Sequence, residues 1–557
     1  MAPTHRSLPS LQSYTAPCIT SLTTSSHHKV TSSNSATGKK FSMQLVVPPS
    51  HALVTATLGM PFTVQRDPSL TRIRVQKALI EQMGEVSYCH SLFYATHAAE
   101  DLGKLLVEST CGEMTRAFFV SSGSEAMEAA LKMARQYHLE KPNPEPARSH
   151  FISRHQSYHG ATLGALAAGG HAARRALFGP MLATNSSRVS PCYAYRDMDP
   201  IADTEADYVQ RLEAELDAEF QRIGPRNVAA FIAEPVVGAA LGCVPPAAGY
   251  FKAVRRVCDK HGALLIFDEV MCGAGRIGPE PSARYPRPLH AWQDPLIDVI
   301  PDLQTLGKGL GGGYMPIAAM LASRRVVQVL EQGTGAFMHG QTYQGHPLAC
   351  RAALEVQRII QQDNLVANVR KQGALLGRLL QERLGSHTAV GDIRGKGLFW
   401  GIEFVKCRAT QEPFDPDLGV AMRLHELGMQ KPFNISLYPG TGSVDGRRGD
   451  HILLAPAYNV TSDEIRHLVE IVAAIVERYF SSQNSATTVV MAKQNGSLVT
   501  KNDDGNAMAA AATKVSNTTA AASAAAAAVS GVGIVDDDGN GDGSGSGAAA
   551  VATLMTE

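Results

Sequence analysis

The chain has 557 residues, 44% of them hydrophobic, enough for a large core and, at ~150 residues per domain, for three or four units. Lys+Arg and Asp+Glu both number 51, so no overall charge draws the chain to nucleic acid or to an anionic membrane. Nine Cys without a CxxC pair suit a reduced intracellular protein, and no apolar run approaches the ~20 residues that span a bilayer, so a soluble chain is expected.

Residues 1–45 are rich in Ser and Thr and contain no acidic residue. They read as a disordered extension; with Arg6 as their only arginine they make a weak mitochondrial targeting segment, so a cytoplasmic location is expected and a mitochondrial one is the alternative. Residues 46–85 form an N-terminal segment assigned to a small domain. In it Asp67-Pro68 opens a helix that runs to Gly84. Across residues 86–335, short apolar runs (Ala117–Val120, Ala229–Ala233, Ala263–Phe267) alternate with helix-period segments. That pattern predicts an α/β fold, a large αβα domain around a mostly parallel sheet. Residues 336–481 read as a smaller α+β domain, with helices over Pro347–Gln361 and Ser462–Phe480 and strands over Leu398–Phe404 and His451–Leu454. From Ser482 to residue 557 the composition falls to Ala, Gly, Ser, Asn and Asp without an aromatic residue, the mark of a disordered low-complexity tail. In it Asp536, Asp538, Asn540 and Gly541 imitate the start of an EF-hand loop. Gly547 stands where the bidentate Glu is required, so no metal site is expected.

Three segments carry chemistry. In Phe118–Ala126 a strand meets a Ser/Gly turn and a helix, with Ser122 and Glu125 as a capping box. Gly123 and Ser124 then occupy the first helical turn, whose free N–H groups suit a phosphate; a merely well-capped helix is the plainer alternative. Ala263–Val270 is an apolar strand that delivers Asp268 and Glu269 at its C-terminal end, the ligand edge of open α/β sheets. A buried carboxylate there needs a cationic partner, which a protonated pyridine nitrogen supplies; a helix-capping role is the alternative. Leu306–Gly313 sets Lys308 among glycines. Gly309 replaces the Ser or Thr of a Walker loop, while close approach of a planar ligand and a Schiff base on the amine explain both lysine and glycines.

The order of these signals, with Tyr158-His159-Gly160 and Glu234-Pro235 between them, resembles the class III (omega-type) aminotransferases of pyridoxal-phosphate fold type I. The stretches SSGSEAMEAALKMAR, SYHGATLGAL, FIAEPVVGA, LLIFDEVMCGAGRIG, TLGKGLGGG and QTYQGHPLAC carry it, over most of residues 85–480. The resemblance implies pyridoxal 5′-phosphate as cofactor, an amine or (omega-)amino acid as donor, a 2-oxo acid as acceptor and a ping-pong reaction. It implies that Lys308 forms the aldimine with the cofactor and later shuttles a proton, and that Asp268 pairs with the pyridine N–H. Val270 and Tyr158 then flank the ring, His159 belongs to the same cofactor-binding motif, and Gly123 and Ser124 bind the phosphate. Thr342 is similar to the phosphate ligand lent by the neighbouring subunit of a homodimer. Arg394 is similar to the family's carboxylate-binding arginine, which in several members pairs with a glutamate placed as Glu234 is. Phe93 and Tyr94 stand where the partner's pocket lining is expected, or serve as core.

Residues 46–66 depart from the family, lacking its glycine-rich hairpin before the first helix, which puts substrate selection in question. Two alternatives stay open: another reaction on the same fold (a decarboxylating transaminase or an aminomutase), and a non-catalytic subunit of that fold.

Overall fold

The computed structural model describes residues 70–494 except Pro200, with side chains from 73 to 482. Residues 1–66, the Asp67-Pro68 cap and the calcium-like stretch, for which the sequence raises expectations, lie outside the described residues.

Seven strands form one sheet: β1 (Met114–Val120), β2 (His150–Arg154), β3 (Ser186–Val189), β4 (Val228–Ala233), β5 (Leu264–Glu269), β6 (Leu303–Leu306) and β7 (Ala318–Ser323). Their order is β1-β7-β6-β5-β4-β2-β3, and every pairing is parallel except the two made by β7. The mostly parallel sheet expected from the sequence is therefore present. β4, β5, β6 and β7 are buried along their whole length, as strands covered by helices on both faces must be. The helix Gly123–Glu140 buries Met127, Ala130, Leu131 and Ala134 on one face, together with Ala229, Ile232, Leu264 and Ile266. The helix Tyr250–His261 buries Phe251, Val254 and Val257 in a separate core with Phe231, Leu265 and Phe267.

A second, antiparallel sheet runs β10-β11-β9-β8, built from β8 (Val390–Lys396), β9 (Phe399–Phe404), β10 (Tyr438–Thr441) and β11 (Asp450–Leu454). Its core takes in the helices Leu365–Leu384 and Ser462–Gln494 and reaches back to Val75 of the first helix, Leu70–Glu85. One boundary moves. The last helix continues to Gln494, past the tail start expected at Ser482, because no Gly or Pro interrupts the chain before Gly496. Among the described residues no helix is long and apolar enough to cross a membrane, and no group of His, Cys, Asp and Glu is placed to hold a metal ion.

Candidate active site

At the C-terminal edge of the large sheet lies a cavity of about 270 Å3, lined among others by Gly123, Ser124, Tyr158, His159, Asp268, Val270 and Lys308. Register explains the convergence. Asp268 faces Thr305 across the parallel pair β5–β6, and Lys308 follows β6 by two residues, so carboxylate and amine leave neighbouring strands at one edge.

Asp268 is buried and holds three contacts. His159 Nδ1 stands 2.8 Å from Oδ2, while Val270 N donates to Oδ1 at 3.1 Å and Thr305 Oγ1 at 3.2 Å. Glu269 points to the opposite face, as alternation along a strand requires. There it accepts from Ala291 N and Trp292 N, and burial pushes its pKa up to about 8. The two carboxylates thus divide: Asp268 belongs to the cavity and Glu269 to the scaffold.

Lys308 sits in a short turn with φ at +37°, a left-handed conformation that a lysine adopts only at a cost of order 1–3 kcal/mol. Gln357, buried on the helix Pro347–Gln362, holds this turn by donating to the carbonyls of Gly309 and Leu310 at 3.2 and 2.8 Å. Burial pushes the Lys308 ammonium below its ordinary pKa, against Asp268 and Glu234, whose charges raise it. The neighbouring glycines serve another purpose than expected. A Cβ at 307, 309 or 311 meets Val270, Tyr458 or Ile317 within 3.2 Å, so these residues let the turn pack on the protein, and of the five only Gly313 lines the cavity.

The helix Gly123–Glu140 begins with the expected capping box, Ser122 and Glu125 bonding reciprocally. The N–H groups of Gly123 and Ser124 find no acceptor among the described residues, although both residues line the cavity. Ser124 Oγ accepts from Ala161 N at 2.9 Å, which leaves its O–H free to donate. Val270 packs against Gly123 so closely that a Cβ at 123 stands 2.7 Å from its Cγ1.

Pyridoxal phosphate asks for an anion cradle, a carboxylate for its ring nitrogen and an amine for its aldehyde. The free amides at 123 and 124, Asp268 and Lys308 meet those three needs in one cavity. Of the lining side chains only His159 carries a buried nitrogen, Nε2, without a partner among the described residues. The residues present fit the group.

Other expected site residues fall elsewhere. Glu234 is buried, and its carboxylate accepts from Tyr158 N at 3.2 Å and Gly238 N at 2.9 Å, so it positions the chain that carries Tyr158. Arg394 does not pair with it. The guanidinium is buried against Glu403 (2.7 Å) and Asp392 (2.9 Å), donates to the carbonyls of Leu241 and Gly242, and lies over Tyr193. Glu403 wins because it stands on β9 opposite Asp392 of β8 and two residues from Gly401, the partner of Arg394 across the same antiparallel pair. Thr342, Phe93 and Tyr94 are exposed and do not line this cavity. Thr305 and Gln357 were not singled out from the sequence; their roles depend on strand register and helix packing.

The family model described as aminotransferase class-III matches residues 72–476. An aminotransferase of Gibberella zeae is 51% identical over 397 residues, covering 71% of this chain and 75% of its own. A diaminobutyrate–2-oxoglutarate transaminase of Halomonas elongata is 32% identical over 404 residues, 72% of this chain and 81% of its own. Among solved structures, an amine transaminase from an uncultivated Pseudomonas species in its PLP-bound form is 33% identical with a TM-score of 0.65, covering 73% of this chain and 86% of that one.

Proposed function

The chain belongs to the class-III aminotransferases, and from that premise we propose that it moves an amino group from an amine or omega-amino acid to a 2-oxo acid in two half-reactions, with pyridoxal phosphate in the cavity beside Lys308. The observation that carries the reading is the convergence of Lys308, Asp268 and the two free amides of Gly123 and Ser124.

When bound, pyridoxal phosphate supplies an electron sink for the negative charge that develops on the substrate carbon. The chain's own groups do the rest. Lys308 would hold the cofactor and would take and return the proton at the substrate carbon. Burial, which lowers its ammonium pKa, favours the neutral base that this task needs. Asp268, oriented by His159, Thr305 and the Val270 amide, would accept from the ring N–H. Gly123, Ser124 and the dipole of their helix receive the phosphate. Val270 and Tyr158, which both line the cavity, would confine the ring.

The same reading makes the protein a homodimer with shared sites. Leu92, Phe93, Tyr94 and Tyr343 are each at least 60% exposed, and Tyr88, a few residues before the first three, donates to Thr342 O at 3.1 Å and meets Tyr343 edge-on. A second copy covering this surface would bring Thr342 toward the neighbour's phosphate site.

Borohydride reduction of the cofactor-loaded protein, followed by peptide mass analysis, tests the assignment. The pyridoxyl label is expected on Lys308 and absent in Lys308→Ala; a label elsewhere, or one that survives the substitution, sinks the proposal.

A further inference from the structure

An aminotransferase acting on amino acids and oxo acids needs a cation for the substrate carboxylate, and Arg394 is not free to serve. Its guanidinium faces Glu403, Asp392 and two carbonyls in a buried network. Arg154, Arg175 and Arg188 are likewise committed: Arg154 donates to Glu234 O, Arg175 to the carbonyls of Leu166, Ala167 and Gly169, and Arg188 to those of Ala167 and Gly169. Arg174 differs. It is exposed, and no carboxylate or carbonyl partner engages it among the described residues. Its guanidinium lies 4.6 Å from the centroid of the Tyr158 ring, and Tyr158 lines the cavity that holds Lys308.

Cation–π attraction of this kind holds a guanidinium near the ring without using its N–H donors, which stay open to grip a carboxylate with two parallel bonds. The backbone that carries Arg174 is braced. Gly446, in the turn between β10 and β11, packs so closely on Ala172 that a Cβ there stands 2.6 Å from the alanine's, and Gln156 Nε2 donates to Val444 O at 3.4 Å. His171, three residues before, meets the Tyr158 ring edge-on at 6.3 Å. The charge of Arg174 also reaches Lys308, where burial, Asp268 and Glu234 act more strongly.

We propose that Arg174, held over Tyr158 of the Lys308 cavity lining, is the carboxylate anchor of this enzyme and a specificity-determining residue, and that its preferred amino donors carry a carboxylate. The inference rests on the aminotransferase reading above and names the substrate class of that site.

Half-reactions of the holoenzyme with a single donor, followed by absorbance, test it without an oxo acid present. 4-Aminobutyrate supplies a carboxylate and 1-phenylethylamine lacks one. Arg174→Gln is expected to raise the half-saturating 4-aminobutyrate concentration on the order of 10–100-fold, the range for a lost charge-assisted pair, with the limiting rate within a few-fold. The 1-phenylethylamine reaction stays unchanged, Arg174→Lys recovers part of the loss, and glutarate, which has no amine, binds the glutamine variant correspondingly more weakly by calorimetry. Equal losses for both donors, or no loss for either, overturn the role of Arg174 while leaving the aminotransferase reading intact. A wild-type holoenzyme that shows no half-reaction with any donor overturns both.

Discussion

A methyl group at position 123 probes the cradle directly. In Gly123→Ala the new Cβ lies 2.7 Å from Cγ1 and 3.0 Å from Cγ2 of Val270, where carbon atoms prefer ~3.5–4.0 Å, a shortfall of about 1 Å. Position 123 opens a helix packed on the sheet and Val270 follows the end of β5, so neither backbone yields easily. The valine side chain yields instead, toward the cavity it lines. With the cavity empty that shift meets open space, so the stability of the cofactor-free protein is expected to change little. Cofactor and displaced valine then compete for one volume. Overpacking of this kind costs about 1–3 kcal/mol, which converts to cofactor binding roughly 5- to 150-fold weaker. Titration of pyridoxal phosphate into stripped protein, followed by absorbance, measures it. Gly179→Ala, whose Cβ meets nothing within 4 Å, is the control and is expected within twofold of wild type. Unchanged cofactor affinity in Gly123→Ala refutes the placement of the ring against Val270.

Two predictions concern the scaffold. Glu403 is fully buried and accepts from Tyr193, Arg196, Arg394 and Ser443; burial pushes its pKa up, but Arg394 and Arg196 prevail and hold it below the ordinary value. Glu403→Gln leaves two guanidinium groups short of their counter-charge and is expected to lower stability by about 3–5 kcal/mol in urea unfolding, whereas a loss under about 1 kcal/mol means the network carries no weight. His290 is buried and neutral, its Nδ1 accepting from Gln304 at 2.9 Å and its Nε2 donating to Ser109 Oγ at 2.8 Å; burial lowers its pKa to about 3. Below pH 6.5 the unfolded chain therefore takes up a proton that the fold refuses, so stability falls with pH. Between pH 7 and 5 wild type is expected to lose about 2 kcal/mol more than His290→Gln, and equal losses contradict the neutral assignment.

Much of this was legible because backbone chemistry is local. The capping box needs only Ser122 and Glu125 three residues apart, and it formed as read. Runs such as Val228–Ala233 and Leu264–Glu269 are buried on both faces, so apolar content alone marked them as inner strands. β8 and β10 escaped notice for the converse reason: VGDIRGK and YPGT mix glycine, proline and charge, and only pairing with β9 and β11 makes them strands. The end of the last helix was misjudged since composition turned polar before any residue broke the helix.

The site shows where local reading stops. Lys308 and Asp268 were singled out by the order of the motifs that carry them, and the structure brings both to one cavity. Arg394 was identifiable as an arginine that meets a carboxylate, but the choice between Glu234 and Glu403 is a matter of distance across a fold. Glu403 follows Arg394 by nine residues, on the next strand of an antiparallel pair, and a β-hairpin brings such residues together more surely than a glutamate 160 positions upstream on another sheet. A buried ion pair also resists being opened: parting Arg394 from Glu403 to receive substrate exposes both charges to a low dielectric at once. Arg174, stacked on Tyr158 without a counter-ion, faces no such barrier, and electrostatics therefore favours the arginine that sequence resemblance passed over.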